Sequence, residues 1–486
     1  MTDGTRARPR GVYIDPDWRG GGLGLYAPPR VAYTGTEPPL PWSGAGGRGC
    51  TDAAFYGRRW VLQETGIPPL AAQAFPRSGG LLSCEQVPLT DLVSRWGTPL
   101  YVYSAGAIRE RFAELDGALA PVPHLIAYSV KANGNLGVLR TLAAMGAGAD
   151  IVSGGELHRA LMAGIPADRI MFSGVGKTVH ELAAGLNAGI KAFNVESEGE
   201  LCALSDLACA MGMRAPVALR VNPDIDTPTP HAYTRTGHAA TKFGIAAARA
   251  RSLYNIAAKM PGIRVRGIDV HIGSQILEVG PFRQALEYVL DLAYHLRQSE
   301  VELEFLDLGG GLGISYEGGD RISAADWAAE IVPAVAETGL QLVVEPGRFL
   351  VGEAGALLTR VLYVKEGGGK RFVITDAGMN DLIRPSHYSG WHAVEPVEAA
   401  GRERGRVDVV GPICETGDFL ALDREMEVPR PGELLAIMTV GAYGFSMSSQ
   451  YNQRTRPAEV LVDGKEATLV RRRETLDDLV AAEIGL

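Results

Sequence analysis

Three polar side chains each follow an apolar run in the middle of the chain. Lys131 follows HLIAY, His271 follows RGIDV, and Glu345 ends LQLVVE. A buried lysine with a lowered amine pKa can form a Schiff base with an aldehyde, and an imidazole can stack on a flat cofactor. A carboxylate can hold a pyridine nitrogen protonated. Taken singly, the three could equally be a solvated lysine, a core histidine and a surface carboxylate.

A glycine cluster, GGGLG at residues 309–313, follows another apolar run. Its backbone amides could approach and bind an anion such as a phosphate, or the glycines could simply form a tight strand-to-helix turn. A dinucleotide-binding G-x-G-x-x-G motif cannot be drawn here, because residue 314 is isoleucine. A phosphate is the anion that suits the neighbouring lysine, histidine and carboxylate.

Two arginines are candidates for binding carboxylates. Arg348 lies in EPGR, and Arg384 lies in NDLIRPSHYSG four residues before Tyr388. The planar guanidinium binds a carboxylate through two parallel hydrogen bonds, although either arginine could instead form a surface salt bridge. Tyr443, in GAYGFSMSSQYN, is a further polar aromatic residue late in the chain.

Cys414 and Glu415 lie together in the segment GPICETGDFL. The cysteine could be half of a disulfide, a metal ligand, a buried filler or an acid in catalysis. The chain has five cysteines, an odd number, widely spread and without a CxxC pair. This usage indicates a reducing compartment and gives no zinc motif, so the role of Cys414 depends on the rest of the chain.

Composition favours a small-molecule ligand. The 486 residues are 46% hydrophobic and 21% charged, with a net charge of -9 and a pI near 5.6. Nucleic acids and anionic membranes require clustered positive charge, which this balance disfavours. The chain shows neither an 18-residue apolar run nor the apolar core of a signal peptide, so we expect a cytoplasmic protein.

Eight short apolar runs alternate with alanine-rich helical stretches, a pattern typical of βα units around a parallel sheet. Eight is the number that closes a (β/α)8 barrel, and we predict one over residues 105–350. The candidate residues above would then meet at the carboxyl ends of its strands. The runs are HLIAY (124–128), ADIV (149–152), RIMFS (169–173), KAFNV (191–195), VALRV (217–221), RGIDV (266–270), LEFLDL (303–308) and LQLVVE (340–345).

The flanking segments differ in composition from the barrel. Residues 1–77 are rich in Gly and Pro and predict an irregular extension, with one short helix capped by Thr51. Residues 351–486, together with 78–104, predict a β-rich domain. The runs ALLTRVLYVKE, KRFVITDAG, ELLAIMTV and AEVLVDG indicate antiparallel strands, and TLDDLVAAEI a closing helix.

A dozen motifs, in order over residues 78–486, resemble those of the fold type III pyridoxal-phosphate-dependent decarboxylases. Within that class they are most similar to the diaminopimelate decarboxylase family. The motifs are YSVKAN, DIVSGGEL, GVGKT, FNVES, RVNPD, KFGI, HIGSQI, LDLGGGLGISY, EPGRFLV, DAGMNDLIRP, GPICETGDFLA and GAYGFSMSSQYNQRTRPAEVLVDG.

The resemblance implies an alanine racemase-like TIM barrel that binds pyridoxal 5'-phosphate. It also implies a C-terminal β-barrel or β-sandwich domain that completes the active site and the interface of a homodimer. The implied reaction is decarboxylation of meso-2,6-diaminopimelate to L-lysine and CO2, the last step of lysine biosynthesis. In this family the centre attacked has the D configuration. The small-molecule substrate leaves no role for nucleic acid or membrane.

The resemblance also implies a role for each candidate residue. Lys131 would hold the cofactor, and Cys414, supplied by the partner subunit, would donate the proton that ends decarboxylation. No metal is implied. The implied cofactor-binding residues are Lys131, His271, Ser274, Gly311, Glu345, Gly347, Arg348 and Tyr443, and His271 is counted with Lys131 and Cys414 as catalytic. The implied substrate-binding residues are Arg348, Arg384, Tyr388, Glu415 and Tyr443.

The sequence departs from the family pattern close to the substrate motif. Ser386 and His387 replace a more usual apolar pair, SGWH follows where a smaller aromatic is common, and Gln450 replaces a frequent Asn. These departures leave open a related decarboxylase acting on a different or carrier-tethered amino acid. A pyridoxal-phosphate carrier or a racemase fits less well, because the former lacks the β domain and the latter requires a tyrosine base.

Overall fold

The computed structural model describes residues 69–225, 241–319 and 321–484. Most of the predicted extension, including the helix capped by Thr51, lies outside the described residues. The first described elements are a short helix, a small three-stranded antiparallel sheet and the entry to the barrel. They are α1 (Pro69–Ala74), β1 (Arg77–Ser78), β2 (Leu81–Cys84), β3 (Val87–Pro88), α2 (Leu89–Trp96), β4 (Leu100–Ser104) and α3 (Ala105–Leu119).

Eight parallel strands close into a barrel, which confirms the predicted fold. Closure comes from the pairing of the eighth strand with the first and of the fourth with the fifth. A two-residue strand, β10 (Ile245–Ala246), pairs in parallel with the last two residues of β9. The barrel strands are β5 (His124–Ser129), β6 (Gly148–Ile151), β7 (Ile170–Phe172), β8 (Ala192–Val195), β9 (Ala215–Asn222), β11 (Ile263–Val270), β12 (Phe305–Asp307) and β13 (Gln341–Val344).

The ring of helices around the barrel is completed by a helix that precedes its first strand. The helix after β13 has only four residues, and α3 packs instead between the helix that follows β12 and the helix that follows β5. Polar N-caps start several of these helices; Thr178, for example, forms a capping box with Glu181. The helices are α4 (Leu136–Ala144), α5 (Gly154–Met162), α6 (Val179–Ala188), α7 (Glu198–Ala210), α8 (Ala247–Ala257), α9 (Gly280–Gln298), α10 (Ala324–Ala336) and α11 (Arg348–Val351).

A small apolar cluster of inward-facing side chains fills the barrel interior, as expected for a packed core rather than a pore. One close approach explains a glycine in β11. A Cβ at Gly267 would lie 2.3 Å from the ring of Phe305, so only glycine leaves room for that ring. The cluster comprises Leu125, Ala127, Met171, Ala192, Ala218, Phe305 and Val343.

The C-terminal elements build a separate nine-stranded sheet, with β4 as one of its members. The predicted closing helix is present as α13 (Leu476–Val480). The strands are β14 (Gly355–Gly367), β15 (Lys370–Thr375), β16 (Val394–Pro396), β17 (Arg404–Val410), β18 (Phe419–Glu427), β19 (Leu434–Met438), β20 (Ala458–Asp463) and β21 (Glu466–Arg471), and α12 (Arg384–Tyr388) lies between β15 and β16.

The prediction of antiparallel strands is wrong for two pairs in this sheet. β20 runs parallel to β4, and β15 runs parallel to β17. A short hairpin forces an antiparallel pair, but long connections do not. The whole barrel separates β4 from β20, and α12 and β16 separate β15 from β17, so the connections leave the strand direction free.

The C-terminal sheet domain contacts the segment that follows β5. The side-chain amide of Asn133 donates to the carbonyl of Gly441 (3.1 Å), and the backbone N–H of Tyr443 donates to the carbonyl of Ala132 (2.8 Å). The hydroxyl of Ser446 lies 3.2 Å from that same carbonyl. These bonds hold Tyr443 next to the barrel lysine. Among the described helices, none is long and apolar enough to cross a membrane.

Candidate active site

Lys131 forms an ion pair with a buried aspartate at the carboxyl ends of the barrel strands. Its Nζ donates to Asp150 Oδ2 at 2.6 Å, and its side chain keeps 36% of its exposure. Desolvation would lower the pKa of Lys131, but the charge of Asp150, with smaller contributions from Tyr443 and Glu345, outweighs it and raises that pKa. The lowered amine pKa expected for this lysine is therefore wrong in this structure, because the neighbouring negative charge outweighs burial.

Glu345 lies in a buried group of carboxylates at the ends of β11, β12 and β13. Oxygens of Glu345, Asp269 and Asp307 lie within 4.8 Å of one another. Burial raises the pKa of Glu345, and the neighbouring carboxylates raise it further. Asn194 Nδ2 donates to Glu345 Oε1 at 3.1 Å. Such spacing could also suit a metal ion, so the expectation of no metal stays a prediction.

His271 lies beside the glycine cluster in the neutral form. The backbone N–H of Gly310 donates to its Nδ1 at 3.1 Å, so the ring proton is on Nε2. Burial, aided by the charges of Arg220 and Lys131, holds the pKa of His271 well below its usual value. Gly311 adopts φ +103°, and a Cβ there would lie 2.6 Å from the carbonyl oxygen of Gly273. Only glycine fits this turn.

The two candidate arginines both contact one tyrosine, Tyr316. Arg348 donates through Nη1 to the hydroxyl of Tyr316, and the guanidinium of Arg384 lies 5.0 Å from the centre of its ring. Both arginines are buried. Burial would raise the pKa of Tyr316, but the charges of Arg348 and Arg384 outweigh burial and lower it. Among the described residues neither arginine forms an ion pair with a carboxylate, so the surface salt-bridge interpretation does not hold.

The remaining candidates near these arginines also have definite positions. Arg348 Nη2 lies 3.4 Å from the hydroxyl of Ser274, and its guanidinium lies 4.9 Å from the ring of Tyr443. The guanidinium of Arg384 lies 5.9 Å from the ring of Tyr388. A Cβ at Gly347 would lie 3.5 Å from the hydroxyl of Tyr443. The barrel and the sheet domain thus bring these candidates into one region.

Cys414 and Glu415 lie in the loop between β17 and β18, and both are exposed. The side chain of Cys414 is exposed, and its backbone N–H donates to Asn452 Oδ1 at 2.8 Å. Glu415 accepts a hydrogen bond from the exposed Tyr451. Among the described contacts, neither residue forms a hydrogen bond or ion pair with Lys131. Asp418 anchors their loop by accepting from the backbone N–H of Ile413 at 2.6 Å.

Several residues of the site escaped the sequence reasoning. Asp150, Asp269 and Asp307 each interrupt an apolar barrel strand near its carboxyl end, and that signal could have found them. Tyr316 gave no comparable signal, because its contacts with the arginines depend on how the two domains pack. His392 gave none either, because it reaches Arg384 only through the turn that follows α12.

The barrel, its lysine and the adjacent glycine turn define a barrel enzyme of the pyridoxal-phosphate class. A family model described as "Pyridoxal-dependent decarboxylase, pyridoxal binding domain" matches residues 105–352. That segment is just over half of the chain, so the chain belongs to this family. The cofactor is therefore pyridoxal 5'-phosphate.

Similar proteins narrow the class further. Diaminopimelate decarboxylase of Aquifex aeolicus is 47% identical over 408 residues, which cover 84% of this chain and 96% of that protein. The Neisseria meningitidis serogroup B protein of the same name is 49% identical over 404 residues, covering 83% and 97%. The solved structure of Helicobacter pylori diaminopimelate decarboxylase with L-lysine has 40% identity, a TM-score of 0.79, and coverage of 81% and 99%. The chain belongs to the diaminopimelate decarboxylase family.

The residues of the site fit this cofactor. Burial and the neighbouring carboxylates Asp150, Asp307 and Asp269 raise the pKa of Glu345, so a protonated ring nitrogen would supply a favourable positive charge. Buried polar atoms without a described partner face the same region, among them Asp150 Oδ1 and Arg348 Nε. Close contacts with neighbouring backbone carbonyls require glycine at 309–311, and phosphate binding by these residues stays a prediction.

Proposed function

We propose that this chain decarboxylates meso-2,6-diaminopimelate to L-lysine and CO2, as the final step of lysine biosynthesis. The observation that carries the proposal is the pair of buried arginines on Tyr316, close to the Lys131 region and without a described carboxylate partner. A substrate with two carboxylates provides the negative charge that this pair lacks.

Each residue around the cofactor has a separate task in this proposal. Lys131 would hold the cofactor through Nζ, and His271 would lie beside it as a neutral imidazole. Glu345 would interact with the ring nitrogen, and Gly311 and its neighbours would hold the phosphate, with Ser274, Gly347 and Tyr443 nearby. Bound pyridoxal phosphate supplies the electron sink that lets the bond from Cα to its carboxylate break.

The substrate is held by its charged ends. Arg348 and Arg384 bind carboxylate oxygens through their guanidinium edges, with Tyr388 and Tyr443 completing the surroundings. Glu415 binds the distal amino group. The carboxylate that leaves is at the D centre, so only the meso isomer gives L-lysine. The LL isomer should therefore yield no lysine.

The exposed position of Cys414 supports a shared active site in a homodimer. The acid that protonates Cα must lie next to the reacting atom. Within one chain the described contacts of Cys414 run to Asn452 instead. We propose that Cys414 Sγ delivers this proton in the active site of the partner subunit. The described cysteines are all free, which is consistent with a cytoplasmic protein.

One assay tests the substrate and the cofactor together. The purified full chain with bound pyridoxal phosphate is incubated with meso-diaminopimelate, and lysine and CO2 are measured. We expect both products in equal amounts, and no lysine from the LL isomer. A protein that binds the cofactor but releases no lysine would overturn the substrate assignment and leave the family membership intact.

A further inference from the structure

His392 is a buried histidine in direct contact with a substrate-side arginine. Its side chain is fully buried. Nδ1 lies 2.9 Å from the carbonyl oxygen of Met438, and Nε2 lies 3.3 Å from Nε of Arg384. A carbonyl can only accept a hydrogen bond and a guanidinium can only donate one. The ring is therefore the neutral tautomer, with its proton on Nδ1.

The turn that follows α12 brings His392 into contact with Arg384. The helix α12 ends at Tyr388, and the next residue, Ser389, adopts the left-handed conformation with φ +50°. The backbone N–H of Gly390 then donates to the carbonyl of Arg384 at 3.1 Å, which turns the chain back on itself. His392 consequently reaches Arg384 from the side of the sheet, where the carbonyl at the end of β19 fixes its ring.

This contact uses only one of the three nitrogens of the guanidinium. Nε of Arg384 donates to Nε2 of His392, while the guanidinium of Arg384 lies over the ring of Tyr316. His392 packs against the same tyrosine, with ring centres 5.3 Å apart and the planes nearly perpendicular. Within the residues that the structure describes, no protein oxygen accepts from Nη1 or Nη2 of Arg384. The terminal edge of the guanidinium remains available to a ligand.

We propose that His392 is a positioning residue for Arg384, fixing the plane of the guanidinium so that its terminal edge receives a carboxylate of the substrate. Bidentate binding requires the planar fork to be aligned with the carboxylate, and an arginine that rotates freely loses this alignment. The identity of the carboxylate rests on the proposed function, whereas the orientation of Arg384 does not. Burial and the charge of Arg384 lower the pKa of His392 to about 3, so the acceptor at Nε2 persists at neutral pH.

Two substitutions separate this role from packing. In His392→Asn the shorter amide can keep the bond to Met438 but cannot reach Arg384. In His392→Gln the longer side chain can place its oxygen near the original Nε2 and accept from Arg384. Both remove the ring, so the loss of packing against Tyr316 is similar in the two variants.

Steady-state kinetics and lysine binding give the first test. We expect His392→Asn to raise KM for meso-diaminopimelate, and Kd for L-lysine, by about 10–100-fold, the range for losing a hydrogen bond to a charged group. The absorbance of the bound cofactor should not change, and kcat should change far less than KM. His392→Gln should recover most of the affinity. Equal losses in the two variants, or an unchanged KM in His392→Asn, would overturn the proposal.

A crystal structure of His392→Asn gives a readout that needs no substrate. We expect the guanidinium of Arg384 to move from its place over Tyr316 in that variant and to keep it in His392→Gln. An unmoved guanidinium in His392→Asn would refute the positioning role even if the enzyme acts on another substrate. Failure of the wild-type protein to form lysine would instead refute the proposed function alone.

Discussion

The raised pKa of Asp381, a buried residue close to Arg384 in sequence, can be tested quantitatively. Asp381 lies three residues before Arg384 and is almost completely buried. The backbone N–H of Gly378 donates to its Oδ2 at 3.1 Å, but its Oδ1 has no hydrogen-bond partner among the described residues. Burial raises the pKa of Asp381 to about 7, from 3.8 for an exposed aspartate.

The sign and the size of the effect follow from this pKa. The folded protein binds the Asp381 proton more tightly than the unfolded chain. The contribution of this group to the free energy of unfolding is therefore greatest below pH 3.8 and is lost as the pH rises through about 7. At about 1.4 kcal/mol for each pH unit, the loss totals about 4 kcal/mol, of which about 2 kcal/mol falls between pH 5.5 and 8.5.

The Asp381→Asn variant removes this titration while keeping the shape of the side chain. We expect the free energy of unfolding of the variant, relative to wild type, to increase by about 2 kcal/mol between pH 5.5 and 8.5. Urea denaturation of both proteins at the two pH values measures it, and contributions from packing cancel in the difference. The surface substitution Asp423→Asn controls for the loss of one charge. A difference that stays constant or shrinks as the pH rises would show that the pKa of Asp381 is not raised in the folded protein.

Further predictions concern the cofactor and the shared site. Cys414→Ala should keep the absorbance of the bound cofactor yet lower turnover by about 10²–10⁴-fold; full turnover would make the cysteine a filler. Mixing Cys414→Ala with Lys131→Ala chains should restore about a quarter of wild-type activity, because half of the dimers are mixed and each of these has one complete site; no recovery after verified subunit exchange would contradict the shared site. Gly311→Ala should weaken cofactor binding at least about tenfold, since backbone strain adds to the close contact with Gly273. Gly339→Ala, which also has positive φ but has open space around it, should leave binding unchanged.

Periodicity was sufficient to predict the barrel but not the second sheet. All eight barrel strands coincide with apolar runs, because strands buried on both faces leave a continuous apolar signature. In the sheet domain, β17 and β18 carry charged residues such as Arg406 and Asp423 on an exposed face, which weakens that signature. The parallel pairing of β20 with β4 depends on contacts between segments more than 300 residues apart, and no local pattern encodes them.

The candidate site, like the fold, was predictable from the sequence only in part. Lys131, His271 and Glu345 could be selected from sequence because each stands at the end of an apolar run. Their partners are set by tertiary packing. Tyr316 meets Arg384 only after the barrel and the sheet domain have come together, whereas Arg384 meets His392 through the turn that follows α12 within the sheet domain. The tryptophan and histidine of SGWH looked like departures from a pattern, yet His392 contacts the substrate-side arginine.

The proposed decarboxylation is tested most directly by product formation with the full-length protein loaded with pyridoxal phosphate. With meso-diaminopimelate as substrate, we expect L-lysine and CO2 in equal amounts, with no lysine when the LL isomer is supplied. A protein that shows the absorbance of bound cofactor but forms no lysine from the meso isomer would contradict it.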